Sequence, residues 1–361
     1  VTISPAQVEA QAVELGRLYS EAELAIIQLL QSRLAAGMAA PAWAEIKLAE
    51  LTALRREIEA VLAGVADAGY QQLALDLGAA LEAGVNGALA DLGVAGIRAT
   101  LPRTNVALAE ALLNEAALGL QSTHLGILRQ ALDGYRDAVA EGLRLGAVGV
   151  ETRRQATQRI LDELAKRGLS GFVDSAGRHW EASTYAEMTA RTGLGRAAVQ
   201  GHLNTLVENG QDLVIVSDAP ENCPICAPWE GRVLSLSGRT AGRFRTGDGA
   251  EISVAGTVGE ATSAGLFHPN CRHSVGIFVP GLTKRQRQVA EREDAYEERQ
   301  RQRQLERHIR SWKRRETAAM TPEAKEYAKR HREQWQSKMR DFVKETDRRR
   351  QYAREQVTAA T

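Results

Sequence analysis

Cys223-Pro-Ile-Cys226 and His268-Pro-Asn-Cys271-Arg-His273 carry every cysteine of the chain, inside the stretch 212–281. Two cysteines separated by two residues form half of a chelate, and a later Cys/His cluster can complete it. The expected ligands are Cys223, Cys226 and Cys271, with His273 as the fourth and His268 as the alternative. These thiols sit among Pro, Asn and Glu rather than in apolar runs, which favours ligation over inert burial or redox chemistry. An odd cysteine count argues against a disulfide-stapled secreted domain. A catalytic zinc keeps an open position beside a general base. Glu221 and Glu230 flank the first pair, but three cysteines and a histidine already saturate a tetrahedron, and neither His-x-x-x-His nor the His/Cys-x-Glu deaminase arrangement occurs within the stretch 212–281. The expected cofactor is a structural zinc.

Just upstream, Asp212-Leu-Val-Ile-Val216 reads as a buried strand. Residues 231–239 suggest a hairpin or short strand. The glycine- and threonine-rich interval 238–265 suggests a flexible loop or a small irregular sheet, whose ends a metal would join. Farther upstream the pattern is helical. Ser4-Pro5 opens a first helix, and apolar residues recur through Val8, Leu15, Leu18, Ala22 and Leu29. A second helix is predicted from Trp43 through Leu62, and a third from Tyr70 to Leu92. The glycines of the third, Gly78, Gly84 and Gly87, cost helix propensity and suggest close helix contact. Two or three helices are predicted between Val106 and Val148, with His124 as a hydrogen-bonded core or interface residue. An amphipathic helix then runs to Arg167 and is capped by Gly168. Helices are also predicted over 182–192 and 195–210.

The formal net charge of +1 hides a split, because residues 281–361 hold 23 Lys/Arg against 14 Asp/Glu and the remainder is acidic. With no charged-then-apolar leader and no run of 18 apolar residues, the expectation is a soluble protein of a reducing compartment, without a membrane. In the basic tail Leu305, Ile309 and Trp312 share one helix face, and Trp335, Met339 and Phe342 share another after a cap and break at Thr321-Pro322. Two long helices joined by a turn follow. Their excess of cations and tryptophans points to a partner, either a phosphate backbone or an acidic protein surface, met by Arg310, Trp312, Lys313, Arg314, Arg315 and Trp335. Arg178, Trp180, Tyr185 and Arg191 form a further cluster. It is expected to be structural or interactive, because no glycine-rich phosphate loop precedes it.

The motifs Phe172-Val-Asp174-x-x-Gly177-Arg178-x-Trp180, Tyr185-Ala-Glu-Met188-x-x-Arg191-Thr192, Cys223-Pro-x-Cys226-x-Pro-Trp-x-Gly231 and His268-Pro-Asn-Cys271-Arg-His273-Ser274 resemble the phage minor capsid protein 2 family. That family is related to the Mu gpF-like minor head proteins encoded beside the portal gene. The resemblance implies a non-enzymatic virion component of the head interior or portal region, assembled in the host cytoplasm. It implies several copies per virion, with portal protein, major capsid protein and double-stranded DNA as partners. The predicted fold class is mainly α with a small α+β module. A helical domain spans 1–167, a zinc-stapled module 168–281 and a basic helical tail 282–361.

Overall fold

The computed structural model describes residues 5–100, 106–148, 151–173, 177, 179–219, 224–284 and 295–355. They form two compact units, each assembled from three stretches: Val1–Ala12, Gln71–Ala116 and Met188–Arg299 in the first, Val13–Tyr70, Ala117–Glu187 and Gln300–Thr361 in the second. The stretches join one another within long helices. The helices of the N-terminal half are α1 (Pro5–Ala35), α2 (Trp43–Ala49), α3 (Leu51–Val94), α4 (Val106–Val148) and α5 (Arg153–Arg167). Helices α3 and α4 each replace what the sequence suggests as two or more segments. Interior glycines cost about 1 kcal/mol apiece, too little to break a helix whose apolar stripe continues on either side.

The first unit is organised on a five-stranded sheet. Its strands are β3 (Leu213–Val216), β4 (Val233–Ser235), β5 (Arg243–Arg245), β6 (Glu251–Thr257) and β7 (Val275–Ile277), in the order β5-β6-β4-β3-β7. Strand β3 lies between β4 and β7, antiparallel to both, and all four of its residues are buried. Alternation along β3 divides two layers. Val214 and Val216 face Ala88 and Leu92 of α3 and Val199, Leu203 and Leu206 of α6 (Ala182–Glu208). Leu213 and Ile215 pack with Val233 and Phe278, and with Phe244, Ile252 and Val254 of the β5–β6 hairpin. The interval 238–265 is thus a small sheet element followed by the short helix α7 (Val258–Ser263), which Thr257 and Glu260 open with a capping box. Helices α3 and α6 cross at backbone distance. A Cβ on Gly84 would stand 2.1 Å from the Ala198 carbonyl oxygen, and one on Gly201 2.5 Å from that of Leu81. The expectation of close contact holds at Gly84, while Gly78 faces open space.

The second unit is a helical assembly with a two-stranded ribbon, β1 (Ser170–Val173) and β2 (His179–Glu181). Trp43 is fully buried and donates from its indole to the Leu34 carbonyl at 3.1 Å. Thr152 opens α5 with a capping box, and Gly168, at φ 75°, ends it. Tyr19 and His124 meet through a 3.0 Å hydrogen bond, so His124 is an internal polar partner. The tail forms α8 (Ala295–Thr317), α9 (Pro322–Thr346) and the short α10 (Tyr352–Glu355). Thr321 caps α9 ahead of Pro322, as the sequence indicates. Leu305, Ile309 and Met339 make the tail's core with Trp335, Phe342 and Val343. Helix α3 is long and apolar enough by length and composition to cross a membrane, a test that the core helix of a water-exposed bundle passes equally.

Candidate metal centre

Three polar ends of the sheet converge where β3 exits. After Val216 the backbone bonds on both sides: Val216 N–H to the Arg232 carbonyl, Gly231 N–H to the Val216 carbonyl and Ser217 N–H to the Ser274 carbonyl. The segment before β4 and the segment before β7 are therefore held against the same strand end. Cys226 leads a 3-10 turn over Ala227–Trp229, and Glu230 follows it. On the other side, Cys271 and His273 come just before β7. Gly265 makes room for the first cysteine loop, since a Cβ there would stand 2.5 Å from the Ile225 side chain.

Cys226, Cys271 and His273 offer ligand atoms that all lie within 4.8 Å of one another. The Cys226 and Cys271 sulfurs are 3.5 Å apart, and Cys271 Sγ is 3.4 Å from His273 Nδ1. Tetrahedral ligands at about 2.3 Å for sulfur and about 2.0 Å for nitrogen stand about 3.8 Å (S···S) and about 3.5 Å (S···N) apart. The group could hold a metal ion on these distances. Cys223, expected to complete the pair with Cys226, lies outside the described residues, as does Arg178. His268 is not one of the three, and its Nδ1 lies 2.6 Å from the Pro269 carbonyl oxygen.

Electrostatics reinforce the grouping. Burial opposes a thiolate at Cys271, yet hydrogen bonds from His273 bring its pKa below the ordinary thiol value. Burial likewise opposes a charged ring at His273, but Cys271 and Glu230 raise its pKa above the ordinary imidazole value. An ion of positive charge replaces the proton that such a pair shares. Glu230 accepts at 2.7 Å from His273 Nε2 and at 3.1 Å from the Ala219 N–H.

The loop between the histidines is fixed by residues that sequence alone does not connect. Asn270 adopts φ 69°, accepts from Arg191 through its side chain and donates its N–H to Thr192 Oγ1 at 3.3 Å. Arg191 is also bonded to Glu9 at 2.9 Å, and Arg272 reaches the same carboxylate at 3.4 Å. Of the polar cluster expected around residue 180, the structure pairs Trp180 edge-on with Tyr185 at 6.4 Å and puts Arg191 to work on this loop. The sequence does not connect Glu9 to the loop, and Glu230 stands out there only as a flank of the first cysteine pair. A cavity of about 340 Å³, with Leu108, Leu112, Leu203 and Phe267 in its wall, reaches Cys271 and His273.

The tail's basic residues divide into two sets. Arg314 is 1% exposed, donates to the Ala165 carbonyl at 2.9 Å and pairs with Glu23 and Glu181 at 3.3 and 3.0 Å. Burial works against the charge on Glu181, but Arg314 and Arg310 hold its pKa down to about 2. Arg310 also pairs with Glu181, and Arg315 with Asp162. These three cations form internal ion pairs. Lys313 is half-buried. Trp312 stacks on His331 at 4.4 Å, and His308 on Trp335 at 3.9 Å. Burial, and after it the charges of Arg307, Lys338 and Arg301 around the ring, push the pKa of His308 down. All three cations are exposed and form no ion pair among the described residues. They were not singled out from sequence.

The chain belongs to the phage minor capsid protein 2 family, whose profile matches residues 3–344. It is 27% identical over 210 residues to a structural protein of Lactococcus phage LL-H, a match covering 57% of this chain and 55% of the relative. The chain thus spans about half the length of that relative. No solved structure matches the chain.

Proposed function

We propose that this head protein uses a structural zinc, held by Cys226, Cys271, His273 and Cys223, to fix its sheet-bearing unit, and meets the virion's interior through the α8–α9 hairpin. The resemblance to Mu gpF-like proteins supports a place near the portal, with portal and major capsid protein as neighbours. The observation that carries the surface reading is the convergence of Arg301, Arg307 and Lys338 on the stacked His308–Trp335 pair, without a paired carboxylate among the described residues. Exposed cations beside a flat aromatic stack suit a phosphate backbone.

The test is the triple variant Arg301→Glu, Arg307→Glu, Lys338→Glu, compared with the parent for duplex DNA affinity over a salt series. The expected result is a loss of at least about tenfold and a salt slope shallower by about 2.7, from three phosphate contacts. Unchanged DNA binding with lost co-purification of the portal protein would identify an acidic protein partner instead. Unchanged behaviour in both assays would remove this surface from the function.

A further inference from the structure

His273 can reach a metal through either ring nitrogen, and the structure distinguishes them. Its Nδ1 faces Cys271 Sγ at 3.4 Å, while its Nε2 lies 2.7 Å from Glu230 Oε1. The imidazole and the carboxylate are both nearly closed to solvent, with side-chain exposures of 2% and 9%. Glu230 is itself held, because the same oxygen accepts from the Ala219 N–H at 3.1 Å and its own N–H donates to Ala227 in the turn that begins at Cys226. One short segment therefore carries a thiol ligand and, four residues later, the carboxylate that faces the imidazole.

We infer that Glu230 is a positioning residue for the metal centre, resting on the zinc reading above: it accepts the Nε2–H of His273 and so commits Nδ1 to the ion. A ring nitrogen can ligate only when it carries no proton, and a carboxylate on the opposite nitrogen both selects that tautomer and makes the ligating nitrogen more basic. The hydrogen bond also locks the ring plane, so the ion meets a preset donor. Loss of such a partner weakens metal binding by about 10- to 100-fold. Glu230 contributes no bond to the ion in this arrangement, and its effect passes entirely through His273.

The full chain is loaded with zinc, and the parent, Glu230→Gln and Glu230→Ala proteins are titrated with a competing chelator. Glu230→Ala should bind zinc about 10- to 100-fold more weakly. Glu230→Gln, which keeps an acceptor oxygen but not the charge, should fall between it and the parent. Long-range proton–nitrogen NMR correlations of the zinc-loaded parent should show His273 ligated through Nδ1 and protonated at Nε2. That measurement needs no variant, so it decides the matter even if Glu230→Ala fails to fold. Ligation through Nε2, or equal zinc affinity in all three proteins, overturns the role of Glu230. A parent that binds no zinc overturns the zinc reading itself.

Discussion

Glu306 shows how one buried group can tie stability to pH. It is 1% exposed, with Arg303 at 3.5 Å and the Gln302 amide at 3.4 Å. Burial raises its pKa to about 7 from an ordinary 4.5, with Arg303 and Arg310 pulling the other way and the charges of Glu187 and Glu355 adding to the rise. A carboxyl whose folded pKa lies above its unfolded one stabilises the fold fully below the unfolded value, and that contribution is lost as pH rises through about 7. Glu306→Gln should therefore match the parent near pH 4.5 and be more stable by on the order of 3 kcal/mol above pH 8. Urea unfolding at the two pH values checks this, and a difference independent of pH would contradict it. At the same scale, residues with strong local rules read out well: Thr321 as a cap, Gly168 as a terminator. Glu23, Glu181 and Arg314 did not, because partners 133 and 291 positions away leave no local pattern.

Among the elements, the α3–α6 crossing depends on two glycines that pass backbone against backbone. Gly84→Ala should cost about 3 kcal/mol, since the added carbon would meet a carbonyl 2.1 Å away and one helix must move. Gly78→Ala, on the same helix but facing open space, should instead gain up to about 1 kcal/mol from helix propensity. Thermal unfolding of the pair separates the two effects, and similar shifts would mean that the crossing is not so tight. The sequence shows glycines in an otherwise apolar helix and so suggests close approach, but it does not show which glycine is approached. The tail behaves similarly. Its stripe of Leu305, Ile309, Trp335, Met339 and Phe342 was legible as helical spacing. The reciprocal stacks of His308 on Trp335 and Trp312 on His331 depend on how α8 and α9 are registered against each other.

For the molecule as a whole, the Cys/His group lies just before β4 and β7 on either side of β3 in the first unit, where a bound metal would tie those segments together. Removing the ion with a chelator should loosen that unit and leave the α8–α9 core of the second largely untouched. An ion present at a thousandfold over its dissociation constant contributes about 4 kcal/mol. Hydrogen exchange should therefore quicken at Leu213–Val216 and Val275–Ile277 on chelation, with Leu305 and Ile309 still protected. Equal quickening in both places would contradict a local staple.

The sequence by itself determined the helical class, the central strand, the caps, the tail hairpin and the Cys/His group. Each of these is written in residues close together or in a regular period, where backbone sterics and side-chain spacing act without distant partners. Only the tertiary structure decided that α3 and α4 run unbroken, that the chain interleaves into two units, and that Arg310, Arg314 and Arg315 turn inward. It alone placed Glu9 and Glu230 behind the site. Those outcomes rest on burial and on charges meeting across long sequence separations, and a buried cation's choice of carboxylate is settled by the surroundings that desolvate both.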